Sequence, residues 1–214
     1  MEIHSACQEG QCEAVAAWLD RGGEIDSRDP LKRTPLHVAC EFGHAPLVAL
    51  LIRHGADACA RDYRNNTPLQ FASGMGLAAE VRALLDAGAN ATDVNVFDMT
   101  PLHALAAGGG KAPVADRLDV VELLLAAGAV LDARDSTDRT PLWYAASTGT
   151  APRPPDVMAA RLAVLARLLS LGADPKLQAR GEQGTPLHAA RGLHQSKRYR
   201  IAWPEAIALL EPVS

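Results

Sequence analysis

Residues 34–40 read Thr34-Pro35-Leu36-His37-Val38-Ala39-Cys40, and this stretch decides the fold because it recurs. Thr-Pro-Leu returns at Thr67, Thr100, Thr140 and Thr185, at intervals of 33, 33, 40 and 45 residues. A degenerate copy opens the chain, where Ile3-His4-Ser5-Ala6-Cys7 aligns with Leu36–Cys40 at a shift of 33. A second marker keeps step with the first: Gly55-Ala56-Asp57, Gly88-Ala89-Asn90, Gly128-Ala129 and Gly172-Ala173-Asp174 each follow an aliphatic run. Self-similarity at such a period marks stacked units that bury a core only together. The chain divides into six of them, near 1–33, 34–66, 67–99, 100–139, 140–184 and 185–214, the outermost two acting as caps of one domain spanning 1–214.

Each unit reads as two short helices and a hairpin-like connection. Thr is a good N-cap because its hydroxyl accepts from an unpaired N–H of the first turn. Pro at the next position is preset for helical φ and lacks a donor the helix does not use there. Leu-His-x-Ala keeps the packing face small, and a Gly such as Gly43 or Gly149 ends the first helix. The second helix, as in Pro46–His54, is closed by the Gly of Gly-Ala-Asp. The expected fold class is therefore all-α.

Composition agrees. Of 214 residues 48% are apolar and only 4% aromatic, with 40 Ala and 28 Leu, so short helices packed closely should dominate. No apolar run approaches the roughly 18 residues needed to span a bilayer, and MEIHSACQEG lacks the features of a signal peptide, so the expected compartment is the cytoplasm. An Arg-to-Lys ratio of 17 to 4 beside the Ala load suggests a GC-rich, bacterial genome. Four cysteines, Cys7, Cys12, Cys40 and Cys59, are too sparse for a disulfide scaffold and read as free thiols. His4 and Cys7 lie one helical turn apart, yet no second ligand pair follows, and no metal or cofactor is expected.

The motif copies Thr34–Ala39, Thr100–His103 and Thr185–Ala190, with Gly-Ala-Asp downstream, resemble ankyrin repeats over essentially the whole chain. The resemblance implies a solenoid of stacked helix-turn-helix units acting as a protein-binding scaffold. It also implies that the motif histidines His37, His103 and His188 are structural, bonding across the turn; Gln70 and Trp143 replace the other two.

Three departures carry information. Repeats four to six hold extra residues between their helices: Gly108-Gly109-Gly110-Lys111-Ala112-Pro113, Thr150-Ala151-Pro152-Arg153-Pro154-Pro155, and His194 to Arg200. Either they stack into a lip that meets a partner or they are tolerated growth of exposed turns. The Gly-Gly-Gly-Lys run is no phosphate loop, since Leu105 and Ala112 occupy the required Gly and Ser/Thr places, and reads as flexible. Lys197, Arg198, Tyr199 and Arg200 form a local basic patch suited to an acidic partner; a net charge of −4 opposes nucleic acid.

The resemblance places recognition on a concave face made by hairpin tips and inner helices. The tips are Pro30–Arg33, Tyr63–Asn66, Val96–Met99 and Ser136–Arg139, and groove positions include Glu41, Phe42, Met75 and Thr148. Tips favour polar turn residues, so Leu31, Tyr63, Val96, Phe97 and Met99 stand out. They suggest an apolar strip flanked by Arg33, Arg64 and Arg139, with Asn66 beside it, unless some fold back on the neighbouring tip. Trp143 and Tyr144 either fill volume or anchor a partner. The expected function is non-enzymatic binding of a protein by a monomer, without nucleic acid, membrane or small-molecule substrate. A bacterial immunity protein, an adaptor and a delivered effector are the specific versions. Catalysis lacks support, because His44, His54 and His194 have no evident carboxylate or thiol partner.

Overall fold

A computed structural model describes residues 3–110, 112–147, 154–181, 184–191 and 203–211. Among them are twelve α-helices, no strand, and one isolated bridge between Ala179 and Gly184. The helices form two rows. In the inner row, α1 (Ile3–Gln8), α3 (Pro35–Phe42), α5 (Pro68–Met75), α7 (Pro101–Ala107), α9 (Pro141–Ala146) and α11 (Pro186–Ala190) each pack on the next. The outer row is α2 (Cys12–Asp20), α4 (Ala45–Arg53), α6 (Ala78–Asp86), α8 (Val114–Ala126), α10 (Pro155–Ser170) and α12 (Pro204–Leu210).

The inner helices start as their sequence dictates. Thr34, Thr67, Thr100, Thr140 and Thr185 are N-caps whose hydroxyls accept from the third helical N–H, with Pro in the first turn. Most helices are far below the ~12–15 residues at which an isolated helix begins to hold, so lateral packing supplies their stability. That packing is dry. Leu36, Leu69, Leu102 and Leu142 of the inner row and Leu51, Leu84, Leu124 and Leu168 of the outer row are fully buried, each contributing about 1.5–3 kcal/mol of transfer free energy.

Helix ends and insertions depart from the expectation. Gly43 and Gly76 close α3 and α5 in the left-handed region, at φ 73° and 78°. The inner helix of repeat five instead ends at Ala146, with Ser147 extended, and Gly149 lies outside the described residues. Carbonyls at this helix end are met from another element, since buried Arg161 of α10 donates to the Tyr144 and Ser147 oxygens. The extra residues of repeats four and five go partly into longer outer helices. α8 has 13 residues and α10 has 16, against nine in α4 and α6.

The glycine run is also packed rather than a flexible loop. Gly110 is buried, its carbonyl accepts from Arg117 Nη2 at 2.8 Å, and a Cβ there would strike the Met75 backbone. A Cβ on Gly108 would strike the Gly74 carbonyl. Lys111, Thr148, Arg153 and the segment holding His194, Lys197, Arg198, Tyr199 and Arg200 lie outside the described residues.

Candidate partner-binding face

The hairpins are built on a residue five positions before each motif Thr: Asp29, Asp62, Asn95 and Asp135. Each side-chain oxygen accepts from two backbone N–H groups across the turn. In the second hairpin these are Arg64 and Asn66, both at 2.8 Å. The other three follow the same pattern. Burial pushes the Asp29 and Asp135 carboxyls up, but the converging donors win and hold both below the usual carboxylate range. Each turn passes through a left-handed residue, Lys32, Asn65, Asp98 or Asp138.

Successive tips are then hydrogen-bonded into one ribbon. Tyr63 N–H donates to the Leu31 carbonyl (3.0 Å), Val96 to Arg64 (2.9 Å), Ser136 to Phe97 (2.9 Å) and Arg180 to Thr137 (2.9 Å). Arg28 and Arg61 reinforce it, each donating to a carbonyl one repeat on, at Arg61 and Val94.

This frame presents the apolar tips outward. Leu31, Tyr63 (48% accessible), Val96 and Phe97 (47%) are all exposed, joined by Val94, which the sequence reading did not single out. Arg64 rises between two of them, its guanidinium 5.1 Å from the Tyr63 ring centroid and 6.0 Å from that of Phe97. Arg33 is engaged otherwise, bridging Asp29 at 2.8 Å and Glu41 at 2.5 Å.

Trp143 requires a correction. It is 4% accessible and unavailable to a partner, because it occupies the motif-His position, whose side chain is buried in α3 and α7 as well. Arg139 lies across Trp143 at 4.8 Å and donates to the Tyr144 hydroxyl at 3.1 Å, which donates to Asp135 at 2.7 Å. Burial and the adjoining Asp135 push the Tyr144 phenol up to about 12. The half-buried Tyr144 is thus tied into the fourth hairpin.

Below the tips lies a cleft of about 210 Å³ lined by Asn66, Gln70, Phe71, Asn95, Met99 and Ala104. Its origin is one small residue. Phe71 and Tyr144 share a motif position and pack edge-on against the preceding histidines, at 5.8 Å from His37 and 5.9 Å from His103. Ala104 holds that position between them and leaves the space open. Asn66 and Met99 therefore line a cleft. Phe42, exposed, and Met75, half-buried, stand at the ends of α3 and α5 remote from the hairpins.

His37 and His103 are structural, whereas His188 is exposed and, among the described residues, meets only its own cap, Thr185. Thr34 N–H donates to His37 Nδ1 at 3.1 Å, leaving Nε2–H to donate to the Asn66 carbonyl at 3.0 Å. His103 repeats the arrangement with Thr100 and Arg139, and Gln70 reproduces it through an amide that accepts from Thr67 and donates to Met99. Burial pulls His37 down to about 4 and lowers His103, so both are neutral at pH 7. His44 donates to the Gln8 carbonyl and its ring covers Gly10. All four cysteines are free, and burial pushes the Cys7 and Cys40 thiols far up, which makes them poor nucleophiles. Among the described residues no group of three or more His, Cys, Asp or Glu side chains is placed to hold a metal, and no helix is long and apolar enough to cross a membrane.

The family model of ankyrin repeats, in three copies, matches residues 3–96 and 77–152. The chain belongs to the ankyrin-repeat family. A comparison with curated proteins finds no match. As an ankyrin array the chain is a protein–protein interaction module with a protein partner.

Proposed function

We propose that this ankyrin protein is a non-enzymatic binding protein that grips a protein partner along the concave side of its hairpin tips and inner helices. The observation that carries the reading is the exposed run Leu31, Tyr63, Val96 and Phe97 on consecutive hydrogen-bonded tips, with Arg64 between two aromatic rings. Aromatic and Arg groups are what interface centres concentrate. A backbone ribbon that fixes them before binding lowers the ordering cost of association.

In this reading Met99 and Asn66 deepen the site, Arg33, Arg139 and Tyr144 border it, Phe42 and Met75 lie at the far ends of the inner helices, and Arg153, Arg198, Tyr199 and Arg200 of the insertions are further contacts that we propose. The specific role we favour is that of a bacterial cytoplasmic immunity protein or adaptor occluding a cognate toxin, acting as a monomer. A delivered effector that binds a host protein is the second version. Genes adjacent to this one discriminate, since a neighbouring toxin gene supports immunity and dependence on a delivery system supports an effector.

Affinity capture with the full chain as bait tests the reading. One stoichiometric protein should be recovered by the wild type and lost with a Tyr63→Ala/Phe97→Ala bait. Equal recovery by both baits counts against this placement.

A further inference from the structure

We propose that the cleft between the second and third hairpins receives an extended peptide segment of the partner that presents a carboxylate to Arg64. This rests on the protein-binding reading above and gives it a ligand chemistry. The charge on Arg64 is uncommitted. Arg33 is paired with Asp29 and Glu41, Arg61 reaches Asp93 at 3.1 Å, and Arg139 belongs to the Tyr144–Asp135 network. Among the described residues the Arg64 side chain has neither a carboxylate nor a carbonyl partner, and only the Tyr63 and Phe97 rings hold it. A guanidinium so placed keeps its planar fork of donors free, the geometry that a carboxylate matches.

The cleft adjoins it, since Asn66 follows Arg64 and Met99 follows Phe97 by two residues. Its polar lining is rich in donors. Each amide NH2 of Asn66, Gln70 and Asn95 spends one N–H internally, on Asp62, the Met99 carbonyl and Asn66 respectively. Each keeps a second N–H. Asn95 Oδ1 already accepts from Phe97 and Met99. Spare donors beside a free cation favour an occupant that brings acceptors. Phe71, Met99 and Ala104 supply an apolar floor for a neighbouring side chain. In an extended segment, residues i and i+2 face the same way, so one acidic and one apolar residue at that spacing fit the pair of subsites. Nucleic acid is the poorer match, because tight phosphate binding draws on several cations and the other arginines here are spent.

The test is panning of a random short-peptide display library on the full chain, followed by titration of the enriched peptides. Enriched sequences should carry Asp or Glu two residues from an apolar side chain. Arg64→Gln should weaken them by about tenfold or more, an acid-to-amide change in the peptide by the same factor, and both together by little more than either. Ala104→Tyr should abolish binding, and it is compatible with folding because Tyr144 occupies the same motif position one repeat later. Peptides without a carboxylate that remain sensitive to Tyr63→Ala and Phe97→Ala would overturn the inference and leave the protein-binding reading standing. Peptides insensitive to every tip and cleft variant would overturn both. Tighter binding of a single-stranded oligonucleotide, lost in Arg64→Gln, would overturn the inference in favour of a different ligand.

Discussion

At the scale of single residues, the motif histidine is a neutral linchpin whose cost appears in acid. His37 titrates near 4 in the folded chain against about 6.5 when unfolded, because burial disfavours its charged form. The unfolded state therefore takes up the proton first. The contribution of His37 is present above pH ~6.5 and is lost as pH falls towards 4, on the order of 3 kcal/mol. His103 adds in the same direction. Urea midpoints measured across that window should fall. A His37→Gln variant, built on the precedent of Gln70, should keep its stability at pH 7 within ~1 kcal/mol and show a shallower acid decline. An unchanged decline would show that other groups dominate. The Thr-Pro caps and His roles were legible because they depend on residue type at fixed local spacing. The hairpin anchors Asp29, Asp62, Asn95 and Asp135 were legible too, in the same register, but an isolated Asp or Asn in a turn draws no notice until the repeats are aligned. The burial of Trp143 follows from its motif position, whereas its aromatic identity points the other way.

At the scale of elements, the longer outer helices show how the array absorbs extra sequence. α8 and α10 extend at their N-termini and send Arg117 and Arg161 inward, Arg117 to the Gly110 carbonyl of the inserted segment and Arg161 to the Tyr144 and Ser147 carbonyls at the end of α9. Gly108 and Gly110 press against α5, so Gly110→Ala should cost about 1–3 kcal/mol in thermal or urea unfolding while Gly109→Ala, at an exposed position, costs far less. Equal effects would contradict the packed loop. Arg117 is fully buried, keeps one hydrogen bond, and leaves Nε and Nη1 without partners; burial also lowers its pKa. Replacing such a group by an apolar side chain of similar length is often neutral or stabilising, so Arg117→Met should leave stability within ~1 kcal/mol or raise it. A loss above about 3 kcal/mol would assign the guanidinium a larger structural share. None of this was legible, since an insertion's length does not say whether it becomes helix or loop.

At the scale of the whole molecule, an unbroken core joins Ile3 to Leu210, and each unit is stabilised by its neighbours. Leu102→Ala, in the middle of the stack, should cost about 2–5 kcal/mol, and hydrogen exchange should be slowest in α5–α8 and fastest at α1 and α12. Uniform protection would contradict nearest-neighbour stacking. The same stacking aligns tips that are far apart in sequence into one surface, the proposed seat of the partner. Its most direct test is a calorimetric titration of the captured partner against three forms of the chain: wild type, Tyr63→Ala/Phe97→Ala, and a control pair on exposed outer-helix positions, Arg53→Ala/Arg82→Ala. The tip pair should lose at least ~2 kcal/mol, about thirtyfold in affinity, with the control unchanged. Full affinity in the tip pair, or a loss confined to the outer-helix pair, would place the partner elsewhere than on the hairpin tips.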